Sequence, residues 1–313
     1  MKPLKLSVLD LVPILQGVDV SSALKQSVRL AQAAEQLGYL RYWVSEHHDM
    51  EQLACAAPEV LLAHIGAYTT HIRIGSGAVL LPHYKPLKVV ESFHLLASLY
   101  PGRVDLGIGR APGGSAHAVL ALNDNFLEQI RQLPESLQAL KELLTHDYKL
   151  EEQRVIARPV PPAAPELWLL GTSRKSAQYA AQLGAGFVFG QFMSDQDAAE
   201  ALSIYRQSFQ SSSLGSVAKT IVAVGVVCAE TETEAQNIAA QGGLLFQTEA
   251  SNSDDKQSRA QRVWIGNPQQ IREQLLQLQD RYQIDELMIL TMASDYNQRI
   301  RSYELLANEM LAL

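Results

Sequence analysis

Short apolar runs alternate along the chain with longer segments in which apolar residues recur every three or four positions. Leu4–Leu9 is a run typical of a buried strand, and Ser21–Leu37 has helical spacing with Gly38 as a stop signal. The same alternation then repeats to the end of the sequence. It predicts eight strands: Leu4–Leu9, Tyr39–Val44, Ile72–Leu81, Val104–Ile108, Leu167–Leu170, Gly186–Phe189, Thr220–Cys228 and Glu286–Thr291.

Helical spacing occupies nearly every interval between these strands, including a long helix predicted over Asn123–Thr145. Strands that alternate with helices indicate right-handed crossovers and a parallel sheet. Eight such units in 313 residues favour an α/β fold of the TIM (β/α)8 barrel type, parallel and eight-stranded with insertions, over a doubly wound open sheet. No linker divides the chain, so we expect one domain over residues 1–313, with a mobile loop at the polar segment 247–261.

Composition narrows the classes of partner. The net charge of −7 is poorly suited to a phosphate backbone, so nucleic acid is not expected as a partner. No run approaches roughly 18 apolar residues and the first residues lack a signal-peptide pattern, so neither a membrane span nor export is expected. Cys55 and Cys228 lie far apart in apolar segments, which fits small core residues in a reducing cytoplasm.

The stretch YWVSEHHD ends the second predicted strand with four ionisable side chains, Glu46, His47, His48 and Asp49. Neighbours along an extended strand point to opposite sides, so Glu46 would share one side with His48 and these four side chains cannot ligate one metal ion together. The sequence contains no HExxH motif, and no metal site is predicted. A histidine at a barrel mouth can act as acid, base or hydrogen-bond donor, or be satisfied by a neighbouring helix cap.

The motif GTSRKSAQYAAQLG places hydroxyl groups over the first turn of a predicted helix, at Thr172, Ser173 and Ser176. A helix start offers unpaired N–H groups and a partial positive charge, which together suit a phosphate group. Late loops of TIM barrels often hold such a site. The alternative is that Thr172 or Ser173 is only the N-cap of the helix.

Two further strand exits carry candidate binding residues. GIGRAPGG is not a dinucleotide fingerprint, because Pro112 stands at the third glycine position, but it leaves Arg110 at a strand exit. There Arg110 could clamp a phosphate or form a surface ion pair. In SGAVLLPHYKP, the small residues Gly77 and Ala78 permit close approach by a flat ligand, or merely give room for packing inside the barrel.

With these motifs in place, the chain resembles the bacterial luciferase-like family of flavin-dependent monooxygenases over nearly its whole length. The resemblance is carried by YWVSEHHD at 42–49, by residues 72–114 with their P-G-R-x-x-x-G-x-G-R turn, and by LLGTSRKSAQYAAQLG at 169–184. It is closer to single-chain homologues than to the light-emitting subunits.

The resemblance implies a TIM barrel that binds reduced FMN, delivered by a separate NAD(P)H:flavin reductase. In this family reduced FMN and O2 form a C4a-peroxide, which oxidises a small organic substrate. Family members pair through helices near the second and third strands, so the resemblance also implies a homodimer.

The resemblance also implies roles for individual residues. His47 falls on the catalytic histidine, and His48 stands beside it as a second catalytic residue. Arg110 matches the arginine that meets the flavin phosphate. The other matches are to cofactor-binding positions: Glu46, Gly77, Ala78, Thr172, Ser173 and Ser176. In the family, the pair that corresponds to Gly77 and Ala78 is joined by a cis peptide beneath the flavin ring.

Departures from luciferase leave other functions open. Gly109 stands where luciferase has a cysteine, and Thr172 stands where luciferase has a glutamate, so light emission does not follow from the resemblance. A deazaflavin-dependent oxidoreductase, a flavin-binding protein without turnover, and a barrel with unrelated chemistry are the alternatives.

Overall fold

The strands of the protein alternate with helices as the apolar pattern predicts. The structure, a computed structural model, describes residues 3–244 and 263–311. Within these ranges the strands are β1 (Lys5–Asp10), β2 (Arg41–Val44), β3 (Arg73–Ser76), β4 (Val79–Leu80), β5 (Val104–Gly109), β6 (Lys149–Leu150), β7 (Gln153–Arg154), β8 (Glu166–Gly171), β9 (Gly186–Gly190), β10 (Thr220–Cys228), β11 (Val263–Gly266) and β12 (Glu286–Leu290).

The parallel strands close into a ring. The order is β1–β2–β3–β5–β8–β9–β10–β12, and β12 pairs with β1. Every pairing around this ring is parallel. The predicted eight-stranded TIM barrel of the α/β class is therefore confirmed, and the open doubly wound sheet is wrong.

Helices surround the barrel and cover the outer faces of its strands. They are α1 (Val20–Gln36), α2 (Pro58–Ala67), α3 (Pro86–Leu99), α4 (Ala116–Leu122), α5 (Phe126–Arg131), α6 (Leu133–Leu144), α7 (Arg174–Leu183), α8 (Ala198–Ser208), α9 (Glu232–Leu244), α10 (Pro268–Tyr282) and α11 (Tyr296–Met310). Short 3-10 helices follow β4 at Leu81–His83 and β9 at Gln191–Met193. The larger apolar core lies between the barrel and this helical layer.

A second, smaller core fills the inside of the barrel, because side chains along each strand alternate between the two faces. Trp43 and Trp168 dominate it, with their rings edge to face at a centroid distance of 5.8 Å. Each tryptophan needs a glycine on a neighbouring strand. A Cβ atom at Gly75 would lie 2.6 Å from the Trp43 indole, and one at Gly186 would lie 2.3 Å from the Trp168 indole.

The prediction of one long third strand over Ile72–Leu81 is wrong. The strand is divided into β3 and β4, which pair with different parts of β5. Between them the Ser76 hydroxyl donates to the carbonyl of Gly107 at 2.9 Å and accepts from the Gly107 N–H at 3.0 Å. The side chain thus takes up the hydrogen bonds that a continuous strand ladder would have used.

The long helical stretch predicted over Asn123–Thr145 is largely helical but not continuous. The segment from Ala116 to Leu144 contains α4, α5 and α6 in succession. Asn123 has an extended backbone at the end of α4, and its side chain donates to the carbonyl of Pro82 at 2.6 Å. Pro134 then lies in the first turn of α6, where proline favours the start of a new helix over continuation of the previous one.

Two strand pairs lie outside the ring, and the apolar pattern predicts neither. β6 and β7 form a small antiparallel hairpin, and β11 pairs with Gly225–Cys228, the part of β10 beyond its contact with β12. The predicted mobile loop at 247–261 falls outside the described residues. In the described ranges, no helix has the length and apolar character needed to cross a membrane.

Candidate active site

A cavity of about 480 Å³ opens at the C-terminal ends of the barrel strands. Its floor consists of apolar residues from the barrel interior, Leu9, Val188, Ala223 and Met288. Parallel strands present their carboxyl ends at one face of the barrel, so residues far apart in sequence meet there. The predicted site residues that line the cavity are Glu46, His47, Gly77, Ala78, Arg110 and Thr172.

His47 follows β2 and lines the cavity as a neutral imidazole. Its backbone N–H donates to the carbonyl of Cys55 at 2.9 Å, and its Nδ1 lies 3.1 Å from the Ser45 hydroxyl. Burial, followed by the neighbouring His48, lowers the pKa of His47 to about 4. At neutral pH the ring therefore carries one N–H and one lone pair, and it can donate or accept a hydrogen bond without carrying charge.

Glu46 has a buried carboxylate that accepts hydrogen bonds from the residues around it. His48 Nε2 and the Tyr84 hydroxyl each lie 2.8 Å from Glu46 Oε1, and the Leu80 N–H donates to Oε2 at 3.1 Å. Glu46 and His48 therefore lie on the same side of the chain, as alternation along a strand predicts. His48 packs behind Glu46, whereas Glu46 itself faces the cavity.

Gly77 and Ala78 form a wall of the cavity that carries no bulky side chain. The peptide between them is cis, as the resemblance implies. A Cβ atom at Gly77 would lie 2.7 Å from the side chain of Leu9, and one at Gly109 would lie 3.1 Å from the Cβ of Ala78. Any larger residue at these glycines would displace the neighbouring wall of the cavity.

Arg110 begins the loop after β5 and has an exposed side chain. It makes no hydrogen bond or ion pair to any other residue in the described ranges. The loop itself is anchored, because the Gly113 carbonyl accepts from the His48 N–H at 2.7 Å and the Ser115 hydroxyl donates to Asp49 at 2.5 Å. The backbone thus fixes where Arg110 emerges, while its guanidinium group keeps its donors for a ligand.

The hydrogen bonds in the first turn of α7 show which of its hydroxyl groups cap the helix and which remain available to a phosphate group. Ser173 and Ser176 form a reciprocal capping box, with each side chain 3.2 Å from the other's backbone nitrogen. Thr172 has no such role and lines the cavity. Ser176 does not line the cavity and contributes instead to a small, mainly apolar recess beneath it.

The basic residues of the same motif are placed differently from Arg110. Arg174 forms an ion pair with Glu200 on α8. The Lys175 ammonium group lies 5.5 Å from the centre of the Tyr179 ring. Neither lines the cavity or the recess.

Some residues of this site are not indicated by sequence alone. Tyr84 holds Glu46, and Phe192 and Met193 line the cavity from the 3-10 helix after β9. Tyr84 lies within PHYKP, a stretch already implicated by Gly77 and Ala78, but nothing local shows that its hydroxyl reaches Glu46. Phe192 and Met193 directly follow a strand exit, which is the signal that could have found them.

No group of three histidine, cysteine, aspartate or glutamate side chains in residues 3–244 and 263–311 is arranged to hold a metal ion. The ionisable residues that line the cavity are Glu46, His47 and Arg110. They offer a buried acceptor, a neutral imidazole and a cation, within a largely apolar space. This combination suits an organic ligand with one anionic group.

An eight-stranded parallel barrel with its apolar cavity and convergent polar groups at the C-terminal face defines a TIM-barrel enzyme. The family whose sequence profile matches is the luciferase-like monooxygenase family, over residues 4–283. The chain belongs to that family.

Relatives match over nearly the full length of this chain. YwcH of Bacillus subtilis (strain 168) is 40% identical, covering 96% of this chain and 97% of its own. The N-acetyl-S-alkylcysteine monooxygenase of the same organism is 34% identical, covering 99% of both chains. The crystal structure of apo-MsnO8 superposes with a TM-score of 0.90 at 36% identity, covering 99% of both chains.

More distant solved structures show the fold alone. The oxygenating constituent of 3,6-diketocamphane monooxygenase from Pseudomonas putida, in complex with FMN, has a TM-score of 0.78 at 18% identity, covering 98% of both chains. An F420-dependent secondary alcohol dehydrogenase, in complex with an F420–acetone adduct, has a TM-score of 0.70 at 15% identity, covering 98% of this chain and 99% of its own. These neighbours therefore carry flavin-type cofactors of two kinds.

Proposed function

We propose that this protein is a monooxygenase that uses reduced FMN and O2 to oxidise a small apolar organic substrate in the cavity at the barrel mouth. One observation carries the proposal. A single space joins an apolar floor and the bare wall at Gly77 and Ala78 to Arg110, whose guanidinium group has no partner among residues 3–244 and 263–311. This arrangement suits a flat, largely apolar ring that ends in a phosphate.

The residues present fit such a cofactor. A volume of about 480 Å³ lies within the range of roughly 300–1,000 Å³ that is usual for ligand and cofactor sites. Gly77, Ala78 and Gly109 leave room for a ring to approach the backbone. Arg110, together with Gly171 and Thr172 just before the start of α7, lines the cavity and would hold the phosphate.

A bound reduced flavin supplies the two electrons with which O2 gives one oxygen atom to the substrate and the other to water. The protein orients the reactants and limits the entry of water. His47 can donate an uncharged N–H to an oxygen atom in the cavity, because Ser45 lies against its Nδ1 and leaves Nε2 available. His47→Gln should lower turnover about 100-fold, while FMN binding changes by less than about threefold.

The lining indicates the character of the substrate. Leu9, Leu11, Phe192, Met193 and Met288 provide apolar surface, which favours an uncharged or weakly polar compound. The relative named N-acetyl-S-alkylcysteine monooxygenase acts on a thioether. Alkyl thioethers are therefore the first class of compound that we would test.

The second candidate function is a deazaflavin-dependent oxidoreductase, and the fold that the chain shares with an F420-dependent alcohol dehydrogenase favours it. Such an enzyme would transfer a hydride and would not consume O2. Comparison of the affinities for FMN and for a deazaflavin, with O2 uptake measured in parallel, separates the two candidates.

Two partners belong to the same proposal. Reduced FMN would come from a separate NAD(P)H:flavin reductase, as the resemblance implies. A second copy of the chain would cover the outer faces of α2 and α3, where Val60, Tyr68, Leu95 and Leu99 are exposed. Sedimentation equilibrium at micromolar concentration tests this dimer, and a monomer under these conditions would contradict it.

The main experiment is a fluorescence titration with FMN, followed by reaction of the reduced complex with O2 in the presence of a thioether panel. We expect binding well below about 1 mM, which corresponds to about −4 kcal/mol, and an oxygenated product. Failure of both FMN forms to bind at that concentration would overturn the proposal. Binding without O2-dependent product from any substrate would favour a flavin-binding protein without turnover.

A further inference from the structure

The carboxylate of Glu46 lies between the cavity and a histidine. Its side chain is 1% exposed and lines the cavity, and the His48 side chain against it is 12% exposed. The Tyr84 hydroxyl and the Leu80 N–H, which also contact the carboxylate, are donors. With the carboxylate as the acceptor of this contact too, the imidazole Nε2–H of His48 is the donor.

Oxygenation requires protons inside this cavity, because one atom of O2 leaves as water. His47 is a poor source of those protons, since it is neutral at neutral pH and would have to regain a proton in a buried place. The other ionisable residues of the lining are Glu46 and Arg110, and an arginine does not release its proton in proteins. Among the lining residues in the ranges 3–244 and 263–311, Glu46 is the remaining one that can exchange protons, and its carboxylate contacts a histidine.

We propose that Glu46 and His48 form a proton-transfer pair that carries protons from solvent to the reacting oxygen in the cavity. The inference rests on the proposed monooxygenase function. Protonated from water, His48 gives its Nε2 proton to the Glu46 carboxylate. The resulting carboxylic acid gives a proton to the oxygen atom that leaves as water, and the carboxylate is restored. Each cycle of the pair moves one proton inward and changes no oxidation state.

Other titratable groups around the pair are held in one protonation state. Burial, followed by Glu46, raises the pKa of the Tyr84 hydroxyl well above its usual value, so Tyr84 stays a donor that positions the carboxylate. Burial raises the pKa of the Cys55 thiol to about 12, and Cys55 also stays protonated.

Further charged and titratable neighbours in the described ranges include Asp49, which follows His48 and accepts a hydrogen bond from Ser115. The His83 ring lies 6.0 Å from the His48 ring, edge to face. Glu59 on α2 acts on the Tyr84 hydroxyl through its charge. His47 precedes His48 in the chain, and Arg110 lines the same cavity as Glu46. Against these neighbours, the direct contact of 2.8 Å singles out His48 as the proton-exchanging partner of Glu46.

The test compares His48→Gln with His48→Ala. A glutamine can still donate a hydrogen bond to Glu46 but cannot carry a proton. If His48 transfers protons, both variants lose about 100-fold in the turnover of bound flavin, and added imidazole restores part of it in His48→Ala. The alkaline limb of the wild-type pH profile should also be absent in His48→Gln. The control is His71→Gln, which alters an exposed histidine that also lies near a glutamate, Glu35 at 3.6 Å.

Two further variants test Glu46 as the acid that protonates the oxygen atom and Tyr84 as the residue that positions it. Glu46→Gln should reduce turnover at least as much as His48→Gln, without rescue by imidazole. Tyr84→Phe should reduce turnover several-fold, because the carboxylate loses a donor that positions it. In the variants at His48, Glu46 and Tyr84, the amount of product formed per O2 consumed should fall. Slow proton delivery lets reduced oxygen species leave the cavity before they oxidise the substrate.

Wild-type turnover and pH profile in His48→Gln would overturn the proton-transfer role and leave His48 as a structural support. Loss in His48→Gln without rescue of His48→Ala, together with an unchanged pH profile, would overturn it as well. If the wild-type protein itself forms no oxygenated product, the proposed function fails instead, and the two failures are therefore distinct.

Discussion

Two arginines at opposite ends of the barrel, Arg41 and Arg110, have opposite surroundings. At the N-terminal end, Arg41 lies 2.8 Å from Asp105, 2.9 Å from Glu286 and 3.2 Å from Glu166, all largely shielded from water. At the C-terminal end, Arg110 has no partner among the described residues and lines an open cavity. Charges that satisfy one another support the fold, whereas charges left free are available to a ligand.

The pKa values of Arg41 and His47 are also shifted in ways that favour opposite charge states. Burial by itself would lower the pKa of Arg41, but Asp105, Glu286 and Glu166 outweigh it and raise that pKa. At the other end burial, followed by the neighbouring His48, lowers the pKa of His47 to about 4. The guanidinium group of Arg41 therefore stays charged in its buried place, whereas the buried ring of His47 stays neutral and ready to exchange hydrogen bonds.

The largest expected effect comes from a substitution at the N-terminal end of the barrel. Arg41→Met should lower the free energy of unfolding by about 3–5 kcal/mol, because Glu286 is left buried without its cation and Asp105 keeps only its ion pair with Arg73. Urea unfolding measures the loss. Arg301→Ala removes a half-exposed arginine paired with Glu230, and should cost no more than about 1 kcal/mol. Equal losses in the two variants would contradict the contrast between the ends.

The pH dependence of the free energy of unfolding tests whether His47, at the C-terminal end of the barrel, is held neutral. The unfolded chain binds a proton at His47 below about pH 6.5, while the folded protein binds it only below about 4. Stability should therefore fall as the pH drops through this window, by about 2–3 kcal/mol at pH 4.5 from this residue, and be unaffected by it above the window.

The measurement is urea unfolding at pH 7 and pH 4.5 for wild type and His47→Gln. The variant should lack that part of the acid loss, whereas His71→Gln, at an exposed histidine, should retain it. Identical acid losses in wild type and His47→Gln would show that His47 is not held neutral.

Arg110 should affect binding without affecting stability. Arg110→Ala should weaken FMN about 10- to 100-fold, since hydrogen bonds to a charged group contribute about 1.5–3 kcal/mol. Its free energy of unfolding should change by less than about 0.5 kcal/mol. Riboflavin, which lacks the phosphate, should bind wild type and variant equally. An equal loss for both ligands would place Arg110 away from the phosphate.

The smallest effects separate a helix cap from a ligand contact. Ser173→Ala should lower stability by about 1 kcal/mol through loss of the capping box on α7. Thr172→Val should leave stability nearly unchanged and weaken FMN a few-fold, because Thr172 lines the cavity and takes no part in the cap. Urea unfolding and FMN titration of both variants check the pair, and the reverse pattern would exchange the two roles.

Most barrel strands are predictable from the sequence because a buried parallel strand is a short apolar run between turn signals. The third strand is not, since it is divided by hydrogen bonds between the Ser76 side chain and Gly107, which is 31 positions away. The break in the helical stretch at Asn123 is not predictable for the same reason, because the Asn123 side chain donates its hydrogen bond to Pro82, which is distant in the sequence. Local pattern describes burial, but it does not describe which distant group takes each hydrogen bond.

The candidate site likewise contains residues that the sequence predicts and residues that it does not. Residues at strand exits are predictable because a parallel barrel must bring those ends together, and Glu46, His47, Arg110 and Thr172 indeed line one cavity. The commitment of Ser173 to a cap is a matter of geometry within one turn, and the sequence leaves it open. The hydroxyl of Tyr84 on Glu46 joins residues 38 positions apart, with no local signal.

By itself, the sequence determined the alternation of strands and helices, the barrel that follows from it and the set of polar residues at its mouth, because each depends on periodicity or on chain order. Only the tertiary structure decided which of those residues are free. Arg110 and Arg41 are the same amino acid, and the difference between them lies in the carboxylates that the fold brings to Arg41. Pairing across the fold depends on distances in space, which no periodicity along the chain records.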